Sequence, residues 1–559
     1  MAGEMTGETK QPESKPEVVD PAAPGDARLR RIVDEGKTER ERLVGRAGIV
    51  GAGTLLSRVL GFGRDVVTAA LFTRYETDAF AAALTIPNAL RQLLAEGAVS
   101  SAVVPVLSER LANGGDEEAK KFFAKAHGVS LVALVVVSVL GIVFAGPLAK
   151  LFASGFEETP GKLELTTGLT RVMFPYIFFM GVAALGMAAL NAKREFGVAA
   201  FAPALFNVAI IGSAFVLREP LAARGVDPVM ALALGVLIGG ALQVMAQTPA
   251  LRAIGYATRP RLDLRDPHVR KMLGRVLPMV FGLGIYYVDL VLSRRFLSEL
   301  GEGPQTYFFF ASRLCDFPQG IFVMAISTAA VPSLATFAAK GDHVELLKTW
   351  ANGMRLSLFV AVPCSVALAV MGEPIVALLF EHGKFDAAST EQTARALVWQ
   401  GAAIFTVAAA RQLVPAFHVL GDTRTPVIVS ALDLLAFIGL ALGLRGSMGH
   451  VGISVAVAGS SAVQMLLLFA ALRMKLGSIR GGDLLASLAR VVAASVVGGG
   501  GGWATSRILA TEGRILPGLG GGVAFSVLFV VAAWAFGARE LSEIAAPIRR
   551  RLARRVPAC

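Results

Sequence analysis

The sequence predicts an all-α polytopic membrane protein: fourteen transmembrane helices, in two pseudo-symmetric six-helix lobes plus two C-terminal helices. Three observations predict it. Hydrophobic residues make up 54% of the 559 and charged residues only 17%, with a mean hydropathy of +0.61. Soluble domains run near 25% charged, so a membrane protein is the class that fits. Fourteen apolar segments are each close to the roughly 20 residues a helix needs to cross hydrocarbon. Two sequence blocks recur at nearly one offset.

Residues 1–44 are polar and rich in Glu, Lys and Pro, with no apolar signal segment; they are expected to form a disordered cytoplasmic tail rather than a cleaved signal peptide. The apolar segments follow at 46–72, 79–107, 127–147, 167–191, 199–217, 229–248, 275–298, 306–335, 354–372, 394–420, 426–445, 450–473, 483–509 and 515–537. The expected divisions are a first lobe at 45–250, a second at 251–475, the last two helices at 476–540 as a lipid groove, and a basic cytoplasmic tail at 541–559.

Orientation follows from Lys and Arg in the loops. With the N-terminus inside, the inner loops hold Lys120, Lys121, Lys125, Lys193, Arg194, Arg259, Arg261, Arg265, Arg270 and Lys271. The outer loops hold fewer, such as Arg74, Lys150 and Lys384, and an even number of spans returns the C-terminus to the inside. The net charge of +12 and pI near 9.8 are explained by this bias and by anionic membrane lipids, so no nucleic-acid partner is implied. Three cysteines, Cys315, Cys364 and Cys559, make no disulfide framework and no metal-ligand spacing.

Ser101–Leu107 (SAVVPVL) recurs as Thr328–Leu334 (TAAVPSL), and Leu151–Phe156 (LFASGF) as LFEHG from Leu379, about 227–228 residues apart. Both halves start from the same side, which makes a parallel repeat about an axis along the membrane normal. Transporters built this way hold substrate between the halves and rock to expose it alternately.

The stretch from Gly51 to Gly97 carries Arg58, Arg64, Asp65, Asp78, Arg91 and Glu96 within apolar sequence. A charge at the bilayer centre costs about 2.5–3.5 kcal/mol, so three lipid-facing arginines would cost roughly 8–10 kcal/mol. These groups must face a bundle interior or a wet cavity. Arg58 and Arg64 stand about 120° apart on a helix and Arg91 and Glu96 about 140°, so a broad face of two neighbouring helices holds all four. The alternative is structural pairing, Arg58 with Glu96 or Arg91 with Asp65. In the second half, Arg313, Asp316 and Pro318 lie in the eighth segment, Asp289 in the seventh and Asp433 in the eleventh. If the halves face each other, Arg313 joins the other three arginines in an anion site, and guanidinium forks match phosphate oxygens two at a time. Diphosphate is the natural guest; pairing of Arg313 with Asp316 is the bland reading. Asp289 and Asp433 form either a cation site or simple hydrogen bonds to backbone. Pro87, Pro105, Pro175, Pro318 and Pro332 kink helices, and the five glycines at 498–502 allow close packing or a lipid groove.

At SRVLGFGRD (57–65), TDAF (77–80), PNALRQLLAEGA (87–98), FPY (174–176), SRLCDFPQG (312–320), LFEHGKFDAAST (379–390) and GDTRTP (421–426) the chain resembles the MurJ (MviN) family. These are the lipid II flippases of bacterial cell-wall synthesis, in the multidrug/oligosaccharidyl-lipid/polysaccharide exporter (MOP) superfamily. The resemblance covers about residues 45–540. It implies a V-shaped pair of lobes around a cationic cavity in the bacterial cytoplasmic membrane. It also implies a tail groove from the last two helices, and lipid II (undecaprenyl-diphosphate-linked disaccharide-pentapeptide) as cargo, turned from the inner to the outer leaflet. The family's arginines fall on Arg58, Arg64, Arg91 and Arg313, its serine on Ser57, and its acids on Asp65, Asp78, Glu96 and Asp316. Departures are Gln92, Ser312 and Thr85, where the family often has arginine, aspartate and lysine. Its sodium site matches Asp289 and Asp433, but Phe437 and Val457 stand where two other ligands would be. No other cofactor is implied; membrane lipids and the cell-wall synthesis machinery are candidate partners. The competing readings are an exporter of another polyprenyl-linked glycan or of drugs, a membrane-embedded glycosyltransferase, and a scaffold without transport. Short outer loops argue against the glycosyltransferase, and the retained arginines against the drug exporter and the scaffold.

Overall fold

The computed structural model describes residues 24–92, 102–282, 284–477, 481–543 and 546, and every regular element among them is helical. Helix α1 runs from Pro24 to Leu71 and α2 from Arg74 to Arg91. The loop charges assign the turn between them to the outside, and "outer" and "inner" follow that assignment. Helix α1 starts well inside the stretch expected to be a disordered tail: extending a helix already nucleated costs far less than starting one. The turn is closed by a capping box, in which Thr73 accepts from the Glu76 N–H and Glu76 accepts from Thr73.

The first half continues with α3 (Val104–Val143), α4 (Ala145–Phe152), α5 (Lys162–Met173), α6 (Tyr176–Ala192), α7 (Gly197–Ala222) and α8 (Met230–Ala253). Helix α3 carries its polar inner stretch straight into its apolar one, kinked where Gly115 takes φ 75°. Pro175 separates α5 from α6. An extended inner segment leads to α9 (Pro267–Gly282), α10 (Gly284–Ser298) and α11 (Pro304–Pro318). Pro318 passes directly into a π turn, Gln319–Val323, and then α12 (Met324–Ala339). π turns are often found at functional sites. The rest comprises α13 (His343–Val370), α14 (Gly372–Phe380), α15 (Ala387–Ala402), α16 (Ile404–Val419), α17 (Arg424–Met448), α18 (His450–Leu476), α19 (Gly481–Ile508) and α20 (Ile515–Ala535).

Among the described residues eleven helices are long and apolar enough to cross a membrane, and each coincides with one expected segment. The other three segments are not among the eleven. The first is interrupted by Arg58, Arg64 and Asp65; the second and seventh run through residues outside those described.

Helix α7 packs on α1 and α8, and α6 on α3 and α8; later in the chain α11 packs on α15, α13 on α12 and α16, and α17 on α18. Helices α19 and α20 pack on one another and reach α13 and α14. Gly502 and Gly521 stand back to back: a Cβ on either would lie 3.0 or 2.9 Å from the other's carbonyl oxygen. The five-glycine run therefore lets two backbones touch.

Candidate functional site

Two charged regions lie between the two halves. The outer one is built on Asp78, which is fully buried. Its Oδ2 accepts from Lys162 Nζ at 2.8 Å and from the Gly303 N–H at 2.7 Å. Its Oδ1 accepts from the Thr306 N–H at 2.7 Å and the Thr306 hydroxyl at 2.6 Å. Asp78 of α2 thus caps the N-terminus of α11, where the helix dipole favours a negative charge. Lys162 is equally buried, with its ammonium 4.4 Å from the Phe156 ring centroid. A buried pair holds only when its remaining hydrogen bonds are satisfied, and four donors meet this carboxylate.

Two glycine contacts frame this clasp. The Gly155 N–H donates to Ser298 Oγ at 3.2 Å, and a Cβ on Gly155 would stand 2.3 Å from the Ser298 carbonyl oxygen. The Lys384 N–H donates to the Ala70 carbonyl at 2.9 Å, and a Cβ on Gly383 would stand 2.2 Å from that oxygen. Gly383 also has φ +59°, where a side chain is strained. Gly383 follows Gly155 by 228 residues, and Ser298 follows Ala70 by 228. Asp78 and Thr306 are themselves 228 apart. Gly155 of the first half is seated on the C-terminal end of α10, and Gly383 of the second on the C-terminal end of α1.

The second region lies deeper along α1, α2 and α11, about 15 Å from the α11 N-terminus at 1.5 Å per residue. Arg64 donates through Nε and Nη2 to Asp65 Oδ1, at 3.0 and 2.7 Å, and through Nη1 to Asn207 Oδ1 of α7 at 3.2 Å. Asn207 in turn donates to the Ser57 carbonyl at 3.0 Å. Arg64 is therefore held in place, with its charge shared with Asp65. The other Asp65 oxygen lies 3.7 Å from Arg313 Nε, linking α1 to α11. Arg313 stacks 4.7 Å from the Phe309 ring centroid and stands 3.5 Å from Asp316, and its Nε has no hydrogen-bond partner. The Arg58 guanidinium packs against Gly320 in the π turn, so closely that a Cβ there would overlap it, and its Nε is buried without a partner. Arg91 closes α2, donating to Asn88 Oδ1 at 3.0 Å. Glu96 lies outside the described residues, so its pairing with Arg58 is not described.

Arg58, Arg313 and Asp65 all act on the Asp316 carboxylate, as does Arg411 of α16, which sequence reasoning missed. The signal was there, since Arg411 lies within an expected apolar segment. Arg294 of α10 was missed likewise; it is buried, donates to Gln305 at 3.1 Å, and with Arg313, Asn88 and Asp316 lines a cavity of about 240 Å³. A separate, apolar pocket of about 400 Å³ lies between Phe62 of α1, Phe317 of α11, Phe322 and Cys364 of α13.

Asp289 of α10 and Asp433 of α17 lie within electrostatic reach of one another, with Ser460 of α18 near Asp433 and its hydroxyl donating to the Val457 carbonyl at 3.3 Å. Asp433 Oδ1 is buried without a partner. Among the described residues no group of three or more His, Cys, Asp and Glu side chains gathers as a metal site.

Among the described residues the fold is all-helical, internally repeated and rich in membrane-length spans, that of a polytopic membrane protein, and the relatives it matches are lipid flippases, transporters rather than enzymes. Its fold is like that of a solved inward-facing multidrug MATE transporter of the MOP superfamily, which matches with a TM-score of 0.62 at 14% identity, covering 76% of this chain and 96% of the other. A solved lipid II flippase MurJ in an inward closed conformation matches with a TM-score of 0.71 at 22% identity, covering 87% of this chain and 98% of that one. The family described as lipid II flippase MurJ matches residues 67–515. Lipid II flippase MurJ of Burkholderia cenocepacia is 34% identical over 434 residues, 76% of this chain and 82% of that protein. A probable lipid II flippase MurJ of Vibrio cholerae is 32% identical over 446 residues, 78% of this chain and 84% of that one. The chain belongs to the MurJ family.

Proposed function

We propose that this protein moves lipid II from the inner to the outer leaflet of the bacterial cytoplasmic membrane, both termini being cytoplasmic. The diphosphate is held by Arg58, Arg313 and Arg91. The observation that carries this reading is the pair of unsatisfied guanidinium nitrogens, Arg58 Nε and Arg313 Nε, on facing helices. Leaving charged donors unmatched in a low-dielectric site is costly unless a ligand completes them. Arg64 and Asp65 position the others: Asp65 anchors Arg64 on one side and lies beside Arg313 on the other. Asp316, 58% exposed to the cavity, draws Arg313 until an anion takes its place. The apolar pocket around Phe62 and Phe317 receives the first isoprene units, and the α19–α20 pair supplies a groove for the remaining tail.

Alternating access follows from the two regions. The Asp78 clasp and the glycine seats close the outer end while the arginines load. Opening must break the clasp, which anion-driven movement of α11 against α1 accomplishes. Sodium would be held by Asp289, Asp433 and the Ser460 hydroxyl, where it would neutralise two carboxylates; the orphaned Asp433 oxygen fits such a cation, while Phe437 and Val457 supply no oxygen.

Native mass spectrometry of the full chain tests the reading. Wild type should retain lipid II and lose it at least about tenfold in Arg58→Ala/Arg313→Ala, the scale of one or two charge-assisted contacts. Equal retention by both would remove the arginines from the site. Preference for another diphosphate-linked glycan would keep the site and change the cargo.

A further inference from the structure

The inner segment joining the two halves, residues 257–266, is clamped to α3. The Arg261 N–H donates to the Ala124 carbonyl at 2.9 Å. A Cβ on Gly128 would stand 2.3 Å from the Arg261 carbonyl oxygen, so backbone lies on backbone. Lys125 reaches Asp263 at 2.9 Å and Asp266 at 2.7 Å. Lys125 is the last charged residue of α3, and none follows until Lys150. The clamp therefore sits where α3 passes from polar to apolar, at the boundary of the hydrocarbon.

Asp263 turns back to Lys125, and the residues on either side project away from the protein. They are Leu262, 63% exposed, and Leu264, 56% exposed. These two leucines, one before and one in the turn that Asp263 closes, are bare of protein cover. Beside them lies a cavity of about 600 Å³, lined by Arg110, Lys121, Arg259, Arg261 and His268. Its acids are already engaged, Glu117 with Lys120, Glu118 with Lys121 and Asp266 with Lys125. Arg110, Arg259 and Arg261 form no ion pair with any described residue. A basic pocket alone fits any anion; a basic pocket with leucines at the bilayer boundary fits an anion attached to acyl chains.

We propose that this pocket binds the phosphate headgroup of an anionic inner-leaflet lipid, with Leu262 and Leu264 seated among its acyl chains. The site is separate from the arginine cavity and rests only on the orientation that places this segment inside. It pins the joint between the halves to the membrane surface, giving their relative movement a fixed pivot.

The test uses the full chain in detergent with equimolar phosphatidylglycerol and phosphatidylcholine, read by native mass spectrometry. The background is Arg58→Ala/Arg313→Ala, so that lipid in the central cavity does not contribute. Retained phosphatidylglycerol should fall by roughly 10- to 30-fold in R259Q/R261Q, the effect of two surface arginines, with phosphatidylcholine unchanged. L262S/L264S should weaken both lipids together. These side chains are exposed, so both variants should keep the parent's melting temperature. Undiminished phosphatidylglycerol in R259Q/R261Q overturns the site. If inorganic phosphate displaces the lipid while L262S/L264S binds as well as its parent, a free anion is the occupant and the lipid assignment falls. Failure here leaves the arginine-cavity reading untouched, because that cavity is already disabled.

Discussion

The outer clasp and the arginine cavity are made of the same materials, carboxylates and cations buried between the two halves, yet they are built in opposite ways. At the clasp every oxygen of Asp78 has its donors and the halves meet with repeat symmetry: Asp78 meets Thr306, its counterpart 228 residues on, and the Gly155–Ser298 seat maps onto the Gly383–Ala70 seat by the same offset. In the cavity the symmetry is gone. By the same offset Arg313 corresponds to Thr85, Asp65 to Ser293, Asp316 to Asn88 and Arg91 to Gln319. A closure that two halves share gains from symmetry, because each half can reuse one contact. A site for one asymmetric anion does not, and there the two copies have diverged into charged and neutral partners. In the proposed mechanism the satisfied charge of the clasp is the latch, and the unsatisfied arginines are the binding site.

Removing a cavity arginine should separate the two regions most clearly. Arg58→Ala should lose transport while the protein stays folded, because the lost group has no protein partner at its Nε; membrane level and melting temperature check the fold. The clasp should behave in the reverse manner. Asp78→Ala leaves Lys162 buried and unpaired, a loss of about 3–5 kcal/mol when one partner of a buried pair is removed. A melting temperature unchanged in Asp78→Ala would mean the clasp contributes nothing. Replacing Asp78 with asparagine and Lys162 with methionine together should recover part of the loss.

Next in size are the two seats. Gly383→Ala adds a left-handed strain of about 1–2 kcal/mol to its clash, whereas Gly155→Ala has the clash alone. A membrane-impermeant thiol reagent applied from outside should therefore label a cysteine placed at Asn88 more in Gly383→Ala than in Gly155→Ala, and least in the parent. Equal labelling in all three would sever the seats from outer closure. Asp433→Asn should leave lipid II retention unchanged and reduce any sodium dependence of transport by about the modest factor of one lost ligand. A sodium response of full size in that variant would clear Asp433 of the role.

The smallest effect concerns Asp116, at the inner end of α3. The Lys193 hydrogen bond is the main cause that holds its carboxyl down to about 2, against desolvation, with Lys120 and Tyr256 adding to it. A lowered carboxylate stabilises the fold above its unfolded value of about 4, and loses that contribution as pH falls through about 2. The gap in melting temperature between wild type and Asp116→Asn should be constant from neutral pH down to about 4 and close below it. A gap that closes near neutrality would assign the effect to another group.

The cavity was legible in sequence because the bilayer makes charge conspicuous: Arg58, Arg91, Arg313 and Asp316 stand out from apolar surroundings by cost alone. The same rule, applied to the tenth segment, would have found Arg411. Roles were less legible than positions. Arg64 reads as a fourth anion ligand but is held by Asp65 and by Asn207, 143 residues away. Asp78 reads as a helix-end acid, and only the fold brings it to Lys162 and to the start of α11. Pairings this distant follow from how helices pack within the first half and how the halves meet, which no local pattern encodes. The repeat offset, by contrast, could be read from two short blocks and governs the outer contacts to the residue.

The decisive measurement is lipid II exposure on the outer leaflet of a bacterial host depleted of its own flippase. Wild type should restore exposure, and Arg313→Ala, expressed to the same level, should not. Restoration by Arg313→Ala equal to wild type would contradict the claim that the unsatisfied arginines are where the cargo is held.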